Sequence, residues 1–62
     1  MVMRINNMPD WAKRKKYIVF RMVDGEAWFY DAWNDYMKAF KQCMEPDVRG
    51  HIVPINEINE AF

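Results

Sequence analysis

The dipeptide Asp24-Gly25 constrains this chain more than any other feature. A two-residue type I′ turn needs positive φ at both central positions, and Asp-Gly adopts it with little strain. Alternating residues flank the pair over 16–23 and 26–30, which predicts a β-hairpin. Such a turn sets the register: Val23 opposite Glu26, Met22 opposite Ala27, Arg21 opposite Trp28, Phe20 opposite Phe29 and Val19 opposite Tyr30. Opposed residues share a face. One face then carries Ile18, Phe20, Met22, Ala27 and Phe29 without a charge, and is expected to be the core face. The other carries Tyr17, Val19, Arg21, Val23, Glu26, Trp28 and Tyr30, which is too apolar for an ordinary solvated surface. Two coverings suit it: the chain's own N-terminal segment, or a partner or second copy. Arg21 opposite Trp28 also invites a guanidinium–indole contact, worth about 0.5–1 kcal/mol where exposed.

After Tyr30 the apolar period changes from two to about three and a half. Trp33, Tyr36, Met37, Phe40 and Met44 form one stripe, with Asp35, Lys38, Lys41, Gln42 and Glu45 facing away. This predicts an amphipathic helix lying over the hairpin, the stripe in the core. Asn34 or Asp31 is the expected cap, Asp35 suits the positive end of the helix dipole, and Pro46 ends the helix. Residues 51–55 read as a third strand, with Pro54 confining it to an edge or to its own end. The simplest topology is a small two-layer α+β unit, ββαβ with strand order 2-1-3 and the helix on one sheet face.

The expected organisation is a single domain over 1–62: an arm (1–16), a body (17–55) and a tail (56–62). In the arm, Pro9 and Asp10 favour a helical turn that would anchor Trp11. In the tail, Asn56 is a candidate cap, with Ile58, Ala61 and Phe62 on one side. Net charge is zero but sorted. The arm holds Arg4, Lys13, Arg14, Lys15 and Lys16 against Asp10, a net of +4, and the remainder carries −4.

Composition excludes whole classes of chemistry. The chain has no Ser, Thr or Leu, which removes Ser and Thr nucleophiles, hydroxyl ligation of magnesium in a phosphate-binding loop, and N-glycosylation acceptors. One Cys and one His supply neither a disulfide nor a metal cluster, so no cofactor and no metal is expected. Cys43 reads as a buried structural thiol and His51 as a surface residue; Asp31 and Asp35 suit capping rather than metal binding. The chain is expected not to be an enzyme. Its longest apolar runs are far too short for a membrane span or signal core, and a lone Cys fits a cytoplasmic setting.

A chain this short buries only about 60% of its unfolded surface and is usually reinforced. With disulfides and metals set aside, oligomerisation remains. The function expected is therefore a non-catalytic protein-interaction module, a homodimer or the binder of another protein. Its contact would be formed by Tyr17, Val19, Arg21, Trp28 and Tyr30, residue types where binding energy concentrates. Its size suits an accessory protein of a phage or mobile element that occupies a larger protein's surface. The alternative is a nucleic-acid-associated protein, with Lys13, Arg14, Lys15 and Lys16 on phosphates and Trp11 and Tyr17 as flanking stacking platforms for a single strand.

Overall fold

The turn at Asp24-Gly25 forms as the sequence requires, with φ of 52° and 81°. The structure, a computed structural model, describes residues 4–58. Two antiparallel strands flank the turn, β1 (Tyr17–Val23) and β2 (Glu26–Trp33). Helix α1 (Tyr36–Cys43) and strand β3 (His51–Pro54) follow. The sheet order is β2-β1-β3, all neighbours antiparallel, with α1 packed on the sheet. This is the small α+β unit that the sequence predicts. Pro54 closes an edge strand, opposite Tyr17, where a missing amide hydrogen is tolerated.

The register follows the expectation from the turn as far as Phe20 opposite Phe29 and then slips. Val19 lies opposite Asp31, not Tyr30, so Tyr30 is the extra residue of a β-bulge. Beyond it β2 runs on to Trp33, bringing Ala32 opposite Ile18 and Trp33 opposite Tyr17. The bulge therefore lengthens the strand that the change of period had ended at Tyr30.

The two faces are covered in the reverse of the expected sense. Ile18, Phe20, Ala27 and Ala32 pack with Ile5, Ala12, Val53 and Ile58, with Met8, Phe29 and Ile55 at the margin. That face lies under the N-terminal arm. Val19 packs with Ala39 and Cys43 of the helix, flanked by Tyr17, Trp33 and Ile52. Alternation along a strand tells which residues share a face, but not which layer will cover it. The small Ala39 and Cys43 let the helix settle closely on the Val19 face, while the larger apolar groups of the opposite face are matched by Ile5 and Met8.

The arm is pinned by backbone pairing. Asn6 bridges to Trp28 in the parallel sense: its amide donates to the Ala27 carbonyl (2.9 Å), and its carbonyl accepts from the Phe29 amide (3.0 Å). Its side-chain amide donates to Glu26 Oε1 (2.9 Å) and to the Ala27 carbonyl (3.1 Å). The outer edge of β2 is thereby partly closed, which protects it from pairing with another chain. A 3₁₀ helix follows at Asp10–Arg14, with Pro9 just ahead of it and Ala12 fully buried.

Asp35 is the helix cap, its carboxylate accepting from the Met37 (2.9 Å) and Lys38 (3.4 Å) amides. Asn34 instead accepts from the Lys16 amide (3.2 Å), and Asp31 bonds Gln42. The apolar stripe also differs from its expected phase. Trp33 belongs to β2, Ala39 and Cys43 turn inward, and Tyr36, Met37, Phe40 and Met44 stay exposed. A second 3₁₀ turn, Ile55–Glu57, precedes buried Ile58. Ala61 and Phe62 lie outside the described residues.

Gly50 marks a tight passage. Its amide donates to the Cys43 carbonyl (3.0 Å), and a Cβ there would stand 3.1 Å from both the Phe20 carbonyl oxygen and Val19 Cγ1, and 3.3 Å from Cys43 Cβ. Only a glycine lets the α1–β3 connection pass between helix and β1 without moving either. Gly50→Ala is expected to lower unfolding stability by about 1–3 kcal/mol, because backbone must shift. Urea denaturation followed by circular dichroism checks this, with Gly25→Ala as a turn-strain comparison lacking any steric clash.

Candidate functional site

The surface that stands out is built by a difference in length. An eight-residue helix is ~12 Å long at 1.5 Å per residue. A seven-residue strand such as β1 spans ~23 Å. The helix therefore covers the end of the hairpin near Tyr17 and Val19 and leaves the turn-proximal end of the same face uncovered. Arg21, Val23, Glu26, Trp28 and Tyr30 are all exposed there, with Trp28 at 42% and Tyr30 at 41%.

Of the residues expected at an interface, Arg21, Trp28 and Tyr30 lie together on this strip. Arg21 and Trp28 are opposed across the ladder, and Tyr30, two residues on from Trp28, starts on the same side. Among the ring contacts of the described residues, none joins Arg21 to Trp28. Val19 does not belong to the strip: it is fully buried beneath the helix. Tyr17 is half-buried and meets Tyr36 edge to face, with ring centroids 5.4 Å apart.

A second apolar patch, which the sequence assigned to the core, runs along the helix. Tyr36 stacks on Phe40 (6.2 Å, 22°). On the helical wheel both fall to one side of the buried Ala39–Cys43 line, and Gln42 falls to the other. The signal that could have separated them was the small size of Ala39 and Cys43, which marks close helix–sheet approach.

On the Gln42 side a polar chain ties helix to sheet. Trp33 Nε1 donates to Gln42 Oε1 (2.8 Å), and Gln42 Nε2 donates to Asp31 Oδ2 (2.9 Å). Asp31 Oδ1 also accepts from the Ala32 amide (2.8 Å) at the bulge. The Asp31 carboxylate is thus committed to holding the bulge and the helix in place. Among the described residues, no group of three or more His, Cys, Asp and Glu is placed to hold a metal ion. Cys43 is a buried free thiol whose Sγ–H donates to the Phe40 carbonyl (3.4 Å). His51 is exposed and stacks on Phe20 (5.4 Å). An open depression of about 240 Å³ lies at the hairpin tip between Arg4, Asn6, Gly25, Glu26 and Ala27. Its volume is below the range of about 300–1,000 Å³ in which ligand pockets fall.

The basic run lies on the arm. Half-buried Lys13 pairs with exposed Asp10 (3.6 Å), Arg14 and Lys16 are exposed, and Lys15 is half-buried. Trp11 meets Phe29 edge to face (5.7 Å, 84°) and remains 47% exposed. Trp11 thus reaches the arm-covered face, opposite to the strip of Arg21 and Trp28. Among the described residues, no helix is long and apolar enough to cross a membrane.

No protein-family model, curated protein or solved structure matches the chain.

Gln42→Ala removes both bonds of the polar chain and leaves the Trp33 indole N–H and one Asp31 oxygen without their partners. The expected loss is about 1–2 kcal/mol of unfolding free energy, with the strand pairing intact. Urea titration followed by tryptophan fluorescence measures it.

Proposed function

We propose that this chain is a protein-interaction module that pairs with a second copy of itself through the strip formed by Arg21, Trp28 and Tyr30. The observation that carries the reading is an imbalance of burial. Among the described residues nine large apolar side chains are at least 41% exposed, whereas the twelve buried apolar residues include four alanines. A chain of this length gains stability most readily by covering such groups, and its single cysteine offers no disulfide within the chain. The free thiol of Cys43 suits work in a reducing, cytoplasmic setting.

Charge favours a second copy. The strip carries one cation, Arg21, and one carboxylate, Glu26, on the same face. A two-fold axis through such a patch brings Arg21 of each protomer toward Glu26 of its partner and packs the aromatic groups between them. The area sets the strength. Two aromatic side chains of 150–250 Å² each, two-fifths exposed, contribute roughly 60–100 Å² apiece. With Arg21 and Val23 the strip offers roughly 300 Å² per protomer, well under the ~800 Å² of a standard interface. The pairing is therefore weak and concentration-dependent.

Sedimentation equilibrium from about 5 to 500 μM tests the proposal. The expected mass rises from one chain toward two with concentration. Trp28→Ala abolishes the rise while circular dichroism stays unchanged. Arg21→Glu weakens pairing by bringing like charges together, and adding Glu26→Arg restores it. A mass of one chain at every concentration, or pairing indifferent to all these variants, overturns the reading.

A further inference from the structure

We propose a second contact site on the opposite side of the molecule, in which Trp11, Arg14, Lys15 and Lys16 bind single-stranded nucleic acid. The 3₁₀ helix at Asp10–Arg14 sets the directions of its side chains. At three residues per turn, side chains three apart eclipse one another. Within Asp10–Arg14 this aligns Asp10 with Lys13 and Trp11 with Arg14, leaving Ala12 to face the core. The observed contacts agree: Asp10 and Lys13 form an ion pair, and Ala12 is fully buried. Arg14 therefore rises on the same side as the indole of Trp11.

Trp11 is held without being hidden. The edge-to-face contact with Phe29 and the burial of Ala12 fix its place, yet almost half of it remains in solvent. A tryptophan serving only as a core anchor would be driven under cover. One anchored on a side and open elsewhere is a stacking platform, and base–aromatic stacking is tolerant of sequence.

The cations beside it grow from fixed backbone. The Lys15 amide donates to the Ala12 carbonyl (3.1 Å), the Lys16 amide to Asn34 Oδ1 (3.2 Å), and the Lys16 carbonyl accepts from the Ile55 amide (2.9 Å). Ordering of the chain is already done before a ligand arrives, which lowers the entropy cost of binding. Between Asp10 and Lys16 the chain carries four cations against one carboxylate. The geometry thus offers a base to the indole and the adjoining phosphates to Arg14, Lys15 and Lys16. A duplex keeps its base faces stacked internally and cannot use the indole in this way, so the single strand is the preferred form.

Fluorescence anisotropy with labelled oligothymidylate tests the site, with a duplex of equal length and heparin as comparisons. For three phosphate contacts on a single strand the affinity should fall about 100-fold between 20 and 200 mM salt. Trp11→Ala should weaken oligothymidylate binding about 5- to 100-fold and leave heparin binding unchanged. Arg14→Ala, an exposed change that spares the fold, should weaken binding and flatten the salt slope. Trp28→Ala, on the other face, should have no effect, so failure here is distinguishable from failure of the self-pairing. Three outcomes overturn the proposal: no binding at 20 mM salt, equal binding of single strand and duplex, or equal loss of oligothymidylate and heparin binding in folded Trp11→Ala.

Discussion

Ile18 and Val19 are neighbours on the central strand, and both are fully buried. Adjacent residues of a strand point to opposite faces, so this pair requires cover on both sides of the sheet at one point. The helix supplies Ala39 on the Val19 side, and the arm supplies Ile5 and Ala12 on the Ile18 side. The rest of the structure follows from that demand. Gly50 exists as a glycine because helix, β1 and the connection to β3 converge above Val19, and Asn6 bridges to β2 because the arm must lie across the hairpin to reach Ile18.

Neither cover is large, and each leaves something in the open. The helix is about half as long as the hairpin it rests on, which strands Arg21, Trp28 and Tyr30 beyond its end. The arm fills its face with Ile5, Met8 and Ala12, and in doing so it sets Trp11 at the margin with the basic residues beside it. Both proposed contacts are thus by-products of covering a narrow sheet with short pieces of chain. They lie on opposite faces and differ in character: one is neutral and aromatic, the other cationic with a single platform.

The hairpin, its register near the turn, the strand order and the helix were legible because each rests on a local rule. Asp24-Gly25 sets the pairing, Pro46 stops the helix, and Pro54 confines β3 to an edge. The bulge at Tyr30 was not legible, since an aromatic residue in a strand carries no mark of being extra. That slip hid the continuation of β2 to Trp33, a residue the helical stripe had claimed. The choice of covering layer was also beyond the pattern. It depended on the size of Ala39 and Cys43, which hydrophobic periodicity counts no differently from a methionine. Of the expected contact residues, Arg21 and Trp28 stayed together because they lie near the turn, where the register is fixed, and Tyr30 joins them because the slip comes only at its own position. Val19 moved into the core because the helix chose its face.

The layering itself is the claim on which everything else stands, and nuclear Overhauser contacts from the Ala39 methyl report it most directly. The expected cross-peaks run from Ala39 to the Val19 methyls and the Ile52 side chain, while those of Ile5 run to the Ile18 and Phe20 side. Contacts from Ala39 to Ile18 or Phe20, or an Ile5 side chain with no partner on the sheet, would contradict the arrangement.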